Sequence, residues 1–242
     1  MKNPKVTAII TSYNRFDYLL NAIDSVLNQK YENKELIIIN DGSEDDRYRS
    51  YKFPENVKIL HIDKTKTPNW GGARKPLINI VAQESESKYL AFLDDDDIWL
   101  DNKLERQINL LEKSDCKMSS TEGLFGQGVY DNDKKYPLYN SERWYKFINK
   151  KYKKTSYLKN NEFPEVWDLD FIRIHNCIIL SSVIVETELF NRLGGFRGLP
   201  KAPDYDCWLG LLQLTNSLYV NEPLFYYDDN HGDGRNYHKI ND

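Results

Sequence analysis

The first 111 residues alternate apolar, β-branched runs with longer segments of helical periodicity. Strand-like runs occupy residues 5–11, 35–41, 57–63 and 89–94, and residues 16–29 place Leu, Ile and Val at helical spacing. Because parallel strands must be joined by a long crossover, this order predicts βαβ units and a mostly parallel sheet flanked by helices. The sequence therefore predicts an α/β fold.

Polar loops follow three of these strands, at residues 11–14, 41–46 and 94–97. The carboxyl ends of parallel strands share one edge of a sheet, and ligands bind there, where the strand order reverses. We therefore expect the three loops to form a shared cleft. Two more helices are predicted nearby, one within 71–84 with Pro76 in its first turn, and one after 101 that Asp101 caps.

The second half of the chain is less regular. We predict a buried strand at 177–185, a short helix that ends at Gly194, a helix that starts at 204, and a late strand at 218–227. The chain of 242 residues suits one domain, or one with an elaboration.

Composition excludes several classes of protein. A net charge of −4 gives no general attraction to nucleic acid. Three widely spaced cysteines without a CxxC pair argue against a disulfide framework or a thiolate zinc site. No segment has the length of a transmembrane helix or of a signal-peptide core, and we therefore expect a cytoplasmic protein.

Four consecutive aspartates, Asp94–Asp97, follow the fourth strand. Two carboxylates about 6 Å apart repel by roughly 2–3 kcal/mol at an effective dielectric near 20. On an extended backbone Asp94 and Asp96 would point one way, and Asp95 and Asp97 the other. One pair would then hold Mg²⁺ or Mn²⁺ together with substrate phosphates. The alternative is a solvated acidic turn that caps the next helix.

The motifs TSYNR, NDGSED, GGARKPL and YLAFLDDDDIWL come in the order and at the spacing of the inverting glycosyltransferases of family 2. SSVIVETELFNRLGGF and PDYDCWLGLL resemble the later acceptor-side region of that family. The resemblance covers residues 4–100 and 177–215. It implies one GT-A domain over 1–242, with a nucleotide-sugar half at 1–115 and an acceptor half at 116–242. The insertion at 130–170 matches nothing in the family.

The resemblance implies a donor site. Thr11 and Tyr13 would hold the nucleotide base, Asp41 the base or ribose, and Asp95 the ribose. Arg74 would bind the diphosphate, for which a guanidinium is well suited. On the residues alone, the alternative for Tyr13 is ordinary packing within the loop, and the alternative for Asp41 is a turn position before Gly42. Where the family often has Asn-x-Gly after this arginine, this chain has Lys-Pro-Leu.

The resemblance also implies a metal site. Asp96 would bind Mn²⁺ or Mg²⁺, with Asp94 as a supporting carboxylate, although four identical residues allow a shift of one position. His231 in the C-terminal tail is a candidate second ligand, and the alternative is an exposed histidine.

Asp204 matches the catalytic base, and Asp206 is the alternative. The family typically has Glu-Asp where this chain has Pro203-Asp204. A helix cap is the structural interpretation of Asp204, and it is compatible with catalysis.

Residues 130–160 contain nine Lys or Arg against three Asp or Glu, interleaved with tyrosines and Trp144. Such a block suits an anionic acceptor, sugar rings or peripheral contact with a membrane surface. The alternative is a solvated face or a mobile loop.

The function expected from the resemblance is metal-dependent inverting transfer of a hexose from a nucleotide-diphospho-sugar. The acceptor would be a hydroxyl of a glycan, lipid or protein. UDP-sugars are favoured, and GDP- and dTDP-sugars stay open. A sugar nucleotidyltransferase and a non-catalytic nucleotide- or sugar-binding module are the alternatives, and no nucleic-acid partner is expected.

Overall fold

The first half of the chain forms the predicted parallel sheet. The computed structural model describes residues 3–63, 76–158 and 162–230. Four strands, all pairing in parallel, lie in the order β3-β2-β1-β4. They are β1 (Val6–Ser12), β2 (Lys34–Asn40), β3 (Val57–His61) and β4 (Tyr89–Asp94). The chain moves outward from β1 to β3 and returns on the other side of β1, so the order reverses between β1 and β4.

The helices of this half are α1 (Phe16–Leu27), α2 (Arg47–Ser50), α3 (Leu77–Glu84) and α4 (Lys103–Leu111). The apolar residues of α1 recur every three or four positions and are buried on one side of the sheet. The prediction that Asp101 caps the fourth helix is wrong. Asn102 occupies that position, and its side chain makes no capping hydrogen bond.

The sheet continues beyond β4 with strands of mixed direction, in the order β4-β8-β6-β9-β5. They are β5 (Ile98–Trp99), β6 (Met118–Gly126), β7 (Val166–Trp167), β8 (Ile184–Glu186) and β9 (Ser217–Asp228). β8 is antiparallel to both β4 and β6, β6 and β9 are parallel, and β5 and β7 pair with β9 in the antiparallel sense. The predicted strand at 218–227 is confirmed as part of β9.

The single strand predicted at 177–185 is wrong. A short 3₁₀ helix, Leu180–Ser182, interrupts it, and only Ile184–Glu186 pairs in the sheet. The Ser182 hydroxyl donates to the carbonyl oxygen of Ile179 at 2.6 Å. Such a local bond gives the backbone an alternative to ladder pairing, and here it turns the chain at the carboxyl end of β4.

The second half also carries α5 (Tyr145–Tyr152), α6 (Leu169–Ile174), α7 (Thr187–Leu193) and α8 (Pro203–Leu211), with one π-helical turn at Tyr139–Arg143. α7 ends at Gly194, whose φ of 89° is the left-handed conformation expected of a C-cap glycine. α8 starts as predicted, after Ala202, whose φ is 45°.

The helices cover both faces of the sheet, which confirms the predicted α/β class. On one face α1 and α4 pack over a core that includes Ile10, Ile38 and Leu93. On the other face α3 and α5–α8 pack over a core that includes Phe92 and Trp208, whose ring centroids are 6.2 Å apart. Among the described residues, no helix is both long and apolar enough to cross a membrane.

Candidate active site

The acidic run does not continue as an extended strand. β4 ends at Asp94, and the Asp97 N–H donates to the Asp94 carbonyl oxygen at 3.2 Å, which closes a turn. Asp95, Asp96 and Asp97 are buried, with exposed fractions of 2%, 7% and 1%. The predicted alternation of the four side chains is therefore wrong, because it assumed an extended backbone.

A buried arginine compensates two of these carboxylates. Nη1 of Arg15 lies 3.1 Å from Oδ1 of Asp95 and 2.8 Å from Oδ2 of Asp96. Arg15 follows β1 and is only 7% exposed. Attraction between opposite charges is strong at such a site, where little water screens them. The repulsion within the acidic run is thus balanced by a side chain of this chain. This pairing was not predicted from the sequence, although Arg15 is part of the TSYNR motif.

The fourth aspartate joins three parts of the sheet. The Ser181 hydroxyl donates to Asp97 Oδ2 at 2.5 Å, and the Asp228 N–H donates to Asp97 Oδ1 at 3.0 Å. Ser181 Oγ also accepts from the Asp94 N–H at 3.1 Å. Burial raises the pKa of Asp97 well above its ordinary value, and the nearby charges of Asp96 and Asp94 add to that effect. Asp97 thus ties the end of β4 to the 3₁₀ helix and to the end of β9.

The loops after β1 and β2 are fastened to each other. The Asn14 N–H donates to Ser43 Oγ at 3.0 Å, and the Glu44 N–H donates to Asn14 Oδ1 at 2.9 Å. Ser43 is held in turn, because its N–H donates to Asn40 Oδ1 at 2.9 Å. Asn14 has a φ of 53°, in the left-handed region that asparagine tolerates better than most residues. These bonds hold together two of the three loops that are predicted to form the cleft.

The predicted base-binding residues lie at this edge of the sheet. Thr11 pairs in register with Asp94 of β4 and is 5% exposed. Tyr13 and Asp41 are half-buried in the two fastened loops. The Asp41 N–H donates to the Ser12 carbonyl oxygen at 3.0 Å, which holds Asp41 beside the end of β1. Because β1 is parallel to both β2 and β4, the expectation that these loops and the acidic run lie at one edge of the sheet is confirmed.

The segment after α7 runs toward the same edge. Asn191 Nδ2 donates to the Ala82 carbonyl oxygen at 2.8 Å, and the Phe196 N–H donates to Asn79 Oδ1 at 2.9 Å. Ala82 is near the end of α3, which leads into the amino end of β4, whereas Asn79 is near its start. Residues 191–196 therefore advance toward the edge that carries the carboxyl ends of the strands.

α8 packs against this segment in the opposite direction. Leu193 lies so close to Gly210 that a Cβ there would approach it to 2.8 Å, while Arg197 donates to Asp206, with Nε 2.7 Å from Oδ2. The start of α8 is thus at the carboxyl edge of the sheet. Asp204, in its first turn, is half-buried there. Asp206, the alternative base, is engaged by Arg197.

The carboxylates at this edge suit a hard cation only in part. Asp95 and Asp96 offer oxygen ligands of the kind that Mg²⁺ and Mn²⁺ prefer. Within residues 3–63, 76–158 and 162–230, no group of three or more His, Cys, Asp or Glu side chains is arranged to hold an ion. Arg74, predicted to bind the diphosphate, and His231, the candidate second metal ligand, lie outside the described residues.

A buried glutamate attaches residues 130–160, the basic block, to the sheet. Glu122 of β6 is fully buried, and its Oε2 accepts from the Ser141 N–H at 2.9 Å, the Ser141 hydroxyl at 2.7 Å and the Tyr219 hydroxyl at 3.1 Å. Its Oε1 accepts from the Asn140 N–H at 2.9 Å. Tyr139–Arg143 and Tyr145–Tyr152 are helical, so the interpretation of this part of residues 130–160 as a mobile loop is wrong.

α6 connects α8 to the basic block. The Tyr205 hydroxyl donates to the Ile172 carbonyl oxygen at 3.0 Å. The Tyr152 hydroxyl, at the end of α5, donates to the neighbouring Phe171 carbonyl oxygen at 2.7 Å. The first turn of α8, which carries Asp204, is thus separated from α5 by one short helix.

The chain belongs to glycosyl transferase family 2, whose model matches residues 7–167. A glycosyltransferase of Rickettsia typhi is 32% identical over 225 residues, which is 92% of this chain and 63% of that protein. A UDP-Glc:alpha-D-GlcNAc-diphosphoundecaprenol beta-1,3-glucosyltransferase of Escherichia coli is 37% identical over 111 residues, or 45% of this chain and 42% of that protein. The chain thus spans less than two thirds of these curated relatives.

Solved structures share the fold. A mannosyltransferase from Pyrobaculum calidifontis, in complex with GDP-Man and Mn²⁺, superposes with a TM-score of 0.66 at 15% identity, covering 99% of this chain and 60% of that one. TarS of S. aureus, in complex with UDP-GlcNAc, gives a TM-score of 0.63 at 17% identity, covering 93% and 58%. The fold predicted from the sequence, a GT-A glycosyltransferase fold, is confirmed.

Proposed function

We propose that this chain transfers a hexose from a UDP-sugar to a hydroxyl of a lipid-linked glycan, with inversion at the anomeric carbon. The observation that supports the proposal is that two acidic groups both lie toward one edge of the sheet. The acidic run after β4 and Asp204 in the first turn of α8 come from distant parts of the chain, and the packing of α3, α7 and α8 brings both to the carboxyl edge. Ligands of open α/β sheets bind at such an edge.

The donor would lie across the ends of β1, β2 and β4. Thr11, Tyr13 and Asp41 would bind the uridine, and Asp95 the ribose. The choice of uridine is supported by the family, since the E. coli relative is named for UDP-Glc and TarS was solved with UDP-GlcNAc.

Asp96 would hold the divalent cation together with the diphosphate, and Arg74 and His231 are further candidates for this part of the site. A bound Mn²⁺ or Mg²⁺ supplies positive charge that stabilises the leaving diphosphate. Manganese in the P. calidifontis enzyme supports this assignment. Because the described carboxylates do not form a complete ion site by themselves, we expect the cation to bind tightly only with the nucleotide.

Asp204 would act as general base. Its carboxylate takes the proton from the acceptor hydroxyl while the acceptor oxygen forms a bond to the anomeric carbon. The bond between that carbon and the diphosphate oxygen breaks on the opposite face, and its electron pair leaves with UDP. Such a base must lie about 2.6–3.2 Å from the hydroxyl it deprotonates. Asp206 is disfavoured for this role because Arg197 engages it.

The acceptor would approach from the side of α6 and α5, next to the first turn of α8. A lipid-linked acceptor is supported by the E. coli relative, whose name specifies a diphosphoundecaprenol acceptor. A non-catalytic binding module is the alternative from another class, and it predicts nucleotide binding without turnover. A nucleotidyltransferase is disfavoured because its first loop is usually rich in Gly, whereas residues 11–15 here read TSYNR.

The test is UDP, GDP or dTDP release from a panel of nucleotide-sugars, with Mn²⁺ and with chelator, in the presence of a diphosphate-lipid acceptor analogue. We expect UDP release that needs both the metal and the acceptor analogue and that is lost in Asp96→Asn. Titration of UDP with Mn²⁺ runs beside it. UDP binding without release from any donor would favour the non-catalytic module, and no binding of any nucleotide diphosphate would refute the donor site.

A further inference from the structure

The outer face of α5 and the residues after it form a basic surface with an apolar residue in its middle. Ile148 and Tyr152 face the core, 1% and 2% exposed. On the outside, Phe147 is 45% exposed, which makes it one of the most exposed large apolar side chains of the described chain. The exposed lysines around it are Lys146, Lys150, Lys151, Lys153 and Lys154, here called the α5 lysines.

The charge of the α5 lysines is not neutralised within the described part of the chain. None of them has a carboxylate of a described residue within ion-pair distance, whereas Lys88, Lys117 and Lys134 each pair with an acidic side chain. The whole chain is acidic, with a net charge of −4. Positive charge is therefore concentrated on α5 and the two residues after it in a negatively charged protein, which favours an anionic partner.

The shape of this surface favours a flat partner over a small anion. Lys146, Lys150 and Lys151 stand on the outer face of α5, and Lys153 and Lys154 directly follow it. None of these lysines lines the surface pockets of about 310, 330 and 450 Å³ found elsewhere in the described residues. The ammonium group of Lys151 lies 5.2 Å from the centroid of the Phe147 ring, so charge and apolar surface are presented side by side. Interfacial helices combine these two features, because the apolar side chain enters the headgroup region while lysines contact lipid phosphates.

We propose that α5 docks this chain on an anionic lipid bilayer. Phe147 enters the headgroup region, and the α5 lysines contact lipid phosphates around it. Docking does not depend on the proposed transfer reaction. If both hold, the bilayer lies beside α6 and close to the first turn of α8, where a lipid-linked acceptor would meet Asp204.

The test is flotation of the full chain with vesicles of phosphatidylcholine alone, or of equal parts phosphatidylcholine and phosphatidylglycerol, without donor or acceptor. We expect binding to the anionic vesicles only, weakening as salt is raised. The triple variant Lys146→Gln, Lys150→Gln, Lys151→Gln should lose about 100-fold in affinity, from about fivefold per lysine near an anionic surface.

A matched triple variant has the same change of charge on the opposite face of the sheet: Lys30→Gln, Lys52→Gln, Lys113→Gln. We expect it to bind like the original chain. Phe147→Ser should weaken binding, and Phe147→Leu should retain it, since leucine also enters the headgroup region.

Three results would overturn the proposal. They are no binding to anionic vesicles, equal losses in the two triple variants, and unchanged binding of Phe147→Ser. If Phe147→Ser binds anionic vesicles like the original chain, and the chain binds heparin as tightly as it binds those vesicles, the α5 lysines would instead form a surface for soluble polyanions. Because UDP binding is measured separately, failure to dock would leave the proposed transfer reaction standing, and failure of the transfer reaction would not remove the docking.

Discussion

The pairing of Arg15 with Asp95 and Asp96 leads to a sharp prediction about stability. We consider the variant Arg15→Met, which keeps much of the side-chain length and removes the charge. The three side chains are nearly inaccessible, with exposed fractions of 6%, 2% and 5%. Removing one partner of a buried ion pair costs about 3–5 kcal/mol, because it leaves an uncompensated buried charge. We expect Arg15→Met to lower the free energy of unfolding by about that amount.

The assay is urea unfolding at neutral pH, followed by tryptophan fluorescence and by circular dichroism. The same change is made in a background that carries Asp95→Asn and Asp96→Asn. In that background the two carboxylates are already neutral and Arg15 is itself the uncompensated buried charge, so Arg15→Met should cost no stability and should even recover some. The difference between the two backgrounds is the interaction energy of the buried cluster.

Arg47→Met is the matched surface control. Arg47 also contacts two carboxylates, of Asp17 and Asp45, but its side chain is 50% exposed. Exposed pairs contribute little because water screens them, and we expect a far smaller loss than for Arg15→Met. Equal losses for Arg15→Met in the two backgrounds would refute the assignment of Arg15 as the compensating charge of the acidic run.

Three further predictions concern stability. Gly194 and Gly195 both have positive φ, but only at Gly195 would an added Cβ collide with Asn79. Measured by thermal unfolding, Gly195→Ala should therefore cost about 2–4 kcal/mol and Gly194→Ala about 1 kcal/mol. Equal costs for the two variants would contradict this. Glu122→Gln should cost about 2–4 kcal/mol in urea unfolding, because an amide N–H₂ replaces an oxygen that accepts hydrogen bonds; an unchanged midpoint would contradict this. Burial lowers the pKa of Lys103 well below its ordinary value, so the unfolded chain binds more protons at this residue than the folded chain does. The free energy of unfolding should therefore rise between pH 7 and pH 9, and Lys103→Met should reduce that rise. Equal pH dependence of the variant and the original chain would contradict this.

The parallel half of the fold was predictable because its strands are covered on both faces. Such strands are continuously apolar, and β1 and β4 are buried over nearly their whole length. α8 was predictable for a different reason, since Pro203 is its first residue, a position that proline favours, and its apolar residues lie within the next two turns.

β6 was missed because its pattern is obscured. Met118–Gly126 includes two serines, a threonine, a glutamate and two glycines, yet it lies in the middle of the sheet. The glutamate is acceptable there only because residues far along the chain, Asn140, Ser141 and Tyr219, supply the donors. Its glycines lie where a Cβ would collide with Phe225 or Tyr226. These reasons are tertiary, and no local pattern reveals them.

The candidate site was predictable in its location but not in its internal contacts. The spacing of strands and polar loops was enough to bring Thr11, Asp41 and the acidic run to one edge. The contact of Arg15 with both Asp95 and Asp96 depends on the turn that follows Asp94. A run of four identical residues carries no signal for where such a turn begins.

The most direct test of the central claim compares two aspartates on the same helix. We would measure turnover of Asp204→Asn and Asp206→Asn at saturating UDP-sugar and acceptor, together with the affinity of each variant for UDP and Mn²⁺. We expect Asp204→Asn to lose about 10²–10⁴-fold in kcat, as for removal of a general base, with UDP affinity unchanged. Asp206→Asn should retain most of its turnover. Full turnover of Asp204→Asn would contradict the assignment of Asp204 as the base. A loss of about 10²–10⁴-fold in kcat that occurs only in Asp206→Asn would contradict it as well.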